Sequence, residues 1–99
     1  MRTMQHPALD DVTLSQLLYA LSDPVRLDVV QQLARGGEAT CSALDGGRPK
    51  SSMSHHFRVL REAGLVRTRT DGPAHMNELR RAELNARFPG LLDSILSAK

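Results

Sequence analysis

The sequence has no tryptophan, one tyrosine, two phenylalanines and a single cysteine. With so few aromatic rings its core must be assembled from Leu, Val, Ile, Met and Ala, and 99 residues leave room for only one such core. Surface outweighs volume at this size, so help from a partner subunit is expected. Cys41 has no second thiol for an internal disulfide, in keeping with a reducing compartment. No run approaches the roughly 20 apolar residues of a membrane span, and the N-terminus has no apolar stretch resembling a secretory signal. The expectation is a cytoplasmic chain with no membrane partner.

A strong net charge is also absent, since the total is only +2. Its distribution is uneven. Residues 1–47 hold three basic and six acidic side chains, whereas residues 48–99 hold ten basic and five acidic. Between Arg48 and Arg69 six cations face one carboxylate, Glu62. Positive charge concentrated in this way suits a polyanion. A basic amphipathic helix with large apolar anchors, which a membrane surface would require, does not accompany it. Nucleic acid is therefore the better partner.

Along the chain, Met1 to Ala8 reads as a flexible arm, and 9–99 as one domain. Apolar residues at Leu9, Val12, Leu14, Leu17, Leu18 and Leu21 predict a first helix. Ser22-Asp23-Pro24 stops it and caps a second, which runs to about Arg35 with Leu27, Val30 and Leu33 inward and ends at Gly36-Gly37. Glu38 to Asp45 has space for two helical turns at most before Gly46-Gly47. After Pro49, Met53, Phe57 and Leu60 form one stripe at i, i+4, i+7 of a helix that closes near Gly64. Leu65–Thr70 and Ala74–Leu79 alternate around Asp71-Gly72, which predicts a short hairpin. Pro73 argues against a long central sheet. Helical spacing returns through Leu84, Phe88, Leu91, Leu92, Ile95 and Leu96, with an interruption at Pro89-Gly90.

The predicted fold is thus mainly α with a short β-hairpin, in the order α-α-α-α-β-β-α of a winged helix-turn-helix. A helix reads the major groove if one side is anchored and the other is polar. Met53, Phe57 and Leu60 supply the anchor. Lys50, Ser51, Ser52, Ser54, His55, Arg58 and Arg61 supply donors, several short enough to let the backbone approach. Arg67 and Arg69 lie two apart, hence on one side of a strand, where a wing could follow a phosphate backbone. Double-stranded DNA is the expected partner.

Two runs also carry a family resemblance: Leu21-Ser22-Asp23-Pro24-Val25-Arg26-Leu27, and Met53-Ser54-His55-His56-Phe57-Arg58-Val59-Leu60-Arg61-Glu62-Ala63-Gly64-Leu65-Val66. Together they resemble the ArsR-type (arsenical-resistance repressor) family of bacterial winged-helix regulators over about residues 9 to 80. The resemblance implies a homodimeric repressor on a near-palindromic operator, released by an inducer, here an unknown small molecule or other signal. It further implies an interface between first and last helices, which maps onto Leu9, Val12, Leu14, Leu17, Leu84, Phe88, Leu91, Leu92 and Ile95.

Metal-sensing members of that family carry a Cys-x-Cys pair before the recognition helix or Asp and His ligands on the last helix. Here Cys41 stands between Ala39 and Ala43, and no His or Cys follows His75, so neither a metal nor another cofactor is expected. Cys41 is read either as a thiol switch of a redox-sensing repressor or as a buried structural residue. His55 is assigned to the DNA face, His56 to packing or a hydrogen bond beneath the helix, His75 to the surface and His6 to the arm. A winged-helix protein-interaction module is the alternative that would not need the basic cluster. A thiol enzyme is set aside, because no Cys-His-Asn order or oxyanion loop can be read.

Overall fold

The computed structural model describes residues 2–98, with side chains from Met4 onward. Met1 of the expected arm and Lys99 at the end of the expected domain lie outside them. Six helices, α1 (Leu14–Leu21), α2 (Pro24–Gly36), α3 (Cys41–Leu44), α4 (Lys50–Glu62), α5 (Arg81–Arg87) and α6 (Leu91–Ser97), pack with four strands, β1 (Arg2–Thr3), β2 (Ala39–Thr40), β3 (Val66–Asp71) and β4 (Ala74–Leu79). The strands form one antiparallel sheet in the order β1-β3-β4-β2. No described helix is long and apolar enough to cross a membrane.

Local signals explain most boundaries. Asp23 caps α2 by accepting the N–H groups of Val25 at 2.8 Å and Arg26 at 3.1 Å, and Pro24 occupies the first turn, where its missing N–H costs nothing. Burial opposes the Asp23 carboxylate, but those two N–H bonds, with the Arg26 charge, outweigh it and hold its pKa below the usual value. The single first helix expected from Leu9 is divided. Leu9–Asp11 forms a 3₁₀ turn, and α1 starts at Leu14 because Thr13 and Gln16 close a reciprocal capping box.

The sheet differs more from expectation. Instead of an isolated hairpin, β4 is an interior strand, with Ala39 and Thr40 opposite Asn77 and Met76. Pro73 does not prevent this, because it sits in the turn between β3 and β4 and removes no ladder hydrogen bond. The arm is not loose either. Arg2–Thr3 pairs with β3, Met4 N–H donates to Thr68 O at 3.2 Å, and His6 Nε2 accepts the Thr68 N–H at 2.9 Å. Burial, together with Arg67, Arg80 and Arg61 nearby, lowers the His6 pKa and favours this acceptor form.

The core joins α1, α2, α3, α4 and the sheet through Leu17, Val29, Val30, Leu33, Leu44, Met53, Phe57, Leu60, Leu65 and Val66. Val29 takes the inward place expected for Leu27, which is only partly buried. Gly64 closes α4 with φ +76°, and Leu65 N–H returns to Leu60 O at 3.0 Å. A Cβ there would lie 3.0 Å from Val12 Cγ2 and 3.3 Å from Leu9 Cδ1. Gly64→Ala should therefore cost about 1–3 kcal/mol, measured by urea unfolding, since backbone strain and crowding act together. An unchanged midpoint would contradict that packing.

Candidate nucleic-acid interface

The site is the outer side of α4. Met53, Phe57 and Leu60, each at most 3% exposed, fix the helix to the core, and the 3.6-residue period turns Lys50, Ser51, Ser54, His55 and Arg58 outward. Ser51, Ser54, His55, Arg58 and Arg61 line one open depression of about 370 Å³. Ser52 is exposed too, with its hydroxyl donating to Pro49 O at 2.9 Å. No side chain caps α4, so its first-turn N–H groups and positive dipole end face outward. Arg61 is half-buried at the far end. Desolvation lowers its pKa, and it stays charged.

Charge pairing separates the basic residues into two groups. Among the described residues Lys50, Arg58 and Arg61 make no ion pair or side-chain hydrogen bond. The two arginines of β3 are engaged. Arg67 donates to Glu83 Oε1 at 2.8 Å and lies 3.8 Å from Glu78, and Arg69 donates to both oxygens of Glu38, 2.7 Å to Oε1. Thr68 and Asn77 are fully buried on the inner face of the sheet, so Arg67 and Arg69 occupy the outer one. Their carboxylate partners stand where an incoming phosphate would have to compete.

The Glu83 carboxylate accepts from Arg80 and from Arg67, which lower its pKa to about 2. The stability contributed by this pairing is complete above the ordinary carboxylate pKa and is lost as pH falls toward the folded value. Thermal melts between about pH 5 and pH 2.5 should show a steeper loss for the native chain than for Glu83→Gln. Equal pH dependence would contradict the pairing.

Behind the helix, a feature unforeseen from the sequence supports α4. Arg26 is 4% exposed, its Nε donates to Ala20 O at 2.8 Å, and its guanidinium lies 5.2 Å from the centre of the Tyr19 ring. Its Nη1 lies 3.2 Å from His56 Nδ1. Arginine only donates, so His56 accepts through Nδ1 and carries its proton on Nε2. His56 thus lies beneath the helix, as its position beside the outward His55 implies. The only local hint of Arg26 is its place three residues after the capping Asp23.

Cys41 is half-buried, and its Sγ accepts from Asn77 Nδ2 at 3.2 Å. Asn77 is held in turn by the Thr68 hydroxyl at 2.7 Å. Among the described residues no three His, Cys, Asp or Glu side chains converge in a way that would hold a metal ion. His75 is exposed.

The interface residues expected from the first and last helices differ in their exposure within the single chain. Leu9, Val12, Leu17, Leu84 and Leu92 are 1–7% exposed within this one chain and pack in its own core. Phe88, Leu91 and Ile95 are partly buried against that core. Leu14 is 47% exposed, and the structure adds Leu18 at 44% and Tyr19 at 61% as its exposed neighbours on α1.

A short helix, a glycine-containing turn, an anchored helix with a free cationic face and an adjoining hairpin define a winged helix-turn-helix protein. The comparisons with known proteins agree. Residues 21–69 match a helix-turn-helix domain model. The chain is 35% identical to the uncharacterized HTH-type transcriptional regulator YceK of Bacillus subtilis (strain 168), covering 87% of this chain and 89% of that protein. It is 36% identical to the arsenical resistance operon repressor of Staphylococcus aureus, over 73% and 70% of the two chains. A crystal structure of an ArsR family transcriptional regulator superposes with a TM-score of 0.67 at 28% identity, covering 82% of this chain and 84% of that one. The chain belongs to the ArsR-type family of winged helix-turn-helix transcriptional regulators.

Proposed function

We propose that this chain is a transcriptional repressor that binds duplex DNA as a homodimer, placing α4 of each protomer in successive major grooves of a near-palindromic operator. The observation that carries the reading is that, among the described residues, the exposed Lys50 and Arg58 and the half-buried Arg61 of α4 have no ion-pair partner, so no carboxylate must be displaced before a phosphate or a guanine edge is met. Ser51, Ser52, Ser54 and His55 complete the contact surface, and a signal, a small molecule or another, releases the DNA. Arg67 and Arg69 are secondary contacts that must exchange Glu83 and Glu38 for phosphate. Dimerisation covers the exposed Leu14, Leu18 and Tyr19, and this apolar group gives it a driving force.

Fluorescence anisotropy with DNA from upstream of the chain's own coding sequence tests the reading. If about six to ten phosphates are neutralised per dimer, affinity should fall by about 10³- to 10⁵-fold between 50 and 200 mM salt. Binding that is indifferent to salt, or no preference over scrambled DNA, would overturn it.

A further inference from the structure

Two recesses meet beside the first turn of α4. The larger, about 350 Å³, opens between α3, α4 and β4, and the smaller, about 210 Å³, extends it toward the hairpin tip. Both are bordered by Cys41, Ser42, Lys50 and His75. The larger alone lies within the roughly 300–1,000 Å³ of small-molecule sites. Its inner wall is apolar, made by Met53 and Phe57 from below the helix. Its mouth is cationic, with the exposed side chains of Arg48 and Lys50.

Asp45 is the one acidic residue in that lining, where Arg48 and Lys50 outnumber it; its Oδ1 accepts the Gly47 N–H at 2.8 Å, and its backbone carbonyl accepts from Arg48 at 3.3 Å. Lys50 has no such partner among the described residues. A cation would be repelled at this mouth, and a bare inorganic anion would gain nothing from the apolar wall. A small organic molecule with an apolar body and one carboxylate meets both surfaces.

We propose that this cleft binds a small aryl or alkyl carboxylate, which occupies Lys50 and Ser54 and so competes with DNA for the start of α4. The inference rests on the DNA-binding reading of α4 and gives its releasing signal a site and a chemical class. In a competition of this kind DNA affinity falls by a factor of one plus ligand concentration over its dissociation constant, about tenfold at ten times that constant.

Three probes suffice: benzoate, 1-naphthoate and octanoate, with 1-naphthamide as neutral control and inorganic phosphate as polar control. In ¹H–¹⁵N NMR titrations of the DNA-free protein, at least one carboxylate should shift the amides of Ser42, Ser54 and His75 to saturation. Naphthamide should bind at least about tenfold more weakly than naphthoate, and phosphate should leave those amides unmoved. Ser42→Trp, which fills the mouth from an exposed position on α3, should abolish the shifts, and His75→Asp should weaken them by like-charge repulsion. Neither residue belongs to the proposed DNA surface. The carboxylate that binds should then lower DNA affinity of the native chain and not of Ser42→Trp.

Absence of saturable shifts with all three carboxylates, equal binding of the neutral amide, or binding that leaves DNA affinity unchanged would each overturn the proposal. A chain that fails to bind DNA even without ligand would instead overturn the function reading, while the NMR arm still reports on the cleft.

Discussion

Arg58→Ala and Lys50→Ala are each expected to weaken operator binding by about 1–3 kcal/mol, roughly five- to 150-fold, while circular dichroism stays native. Both side chains are exposed and make no side-chain bond among the described residues, so their removal leaves the fold intact. The same change at Arg69 should cost the complex less. Its guanidinium already bridges to Glu38, whose pKa it lowers, so it must give up that carboxylate before meeting a phosphate and contributes less to the complex than an unpaired cation. Anisotropy titrations of the three variants at one salt concentration check the ranking. A larger loss at Arg69 than at Arg58 would move the principal contact from α4 to β3.

The second large effect separates core from interface. Leu92 is 2% exposed within the single chain, so Leu92→Asp removes a packed side chain, worth about 2–5 kcal/mol, and buries a charge as well. Against a total stability of about 5–15 kcal/mol, the expected result is a largely unfolded chain, seen as loss of the helical dichroism signal. Leu14→Asp combined with Leu18→Asp should behave differently, because both residues are more than two-fifths exposed before any partner arrives. That variant should stay folded and sediment as a monomer. A folded, monomeric Leu92→Asp protein would return Leu92 to the interface.

The helices and their order were legible because caps and periodicity are local. Asp23-Pro24, the stripe Met53-Phe57-Leu60 and the closing Gly64 each act within a turn or two of chain, and all appear where the spacing puts them. Thr13 and Gln16 spell a capping box that would also have placed the start of α1. The two-residue strands carry no period at all. Ala39–Thr40 and Arg2–Thr3 become strands only because β4 and β3 offer them an edge. The ion pairs of the wing were hidden for a related reason: Arg67 and Glu83 are 16 positions apart, and Arg69 and Glu38 are 31 apart. The apolar spacing of the first and last helices was real, yet it could not tell a face buried in its own chain from one awaiting a second copy. Burial in the folded chain assigns Leu9, Val12, Leu17, Leu84 and Leu92 to the former.

The most direct test of the central claim is a chemical-shift map of the ¹⁵N-labelled protein with and without its operator duplex. The largest changes should fall on Ser51, Ser54, His55 and Arg58, with smaller ones on β3. A map in which α4 is silent and the changes gather on α1 and α6 would contradict the assignment of α4 as the DNA-reading helix.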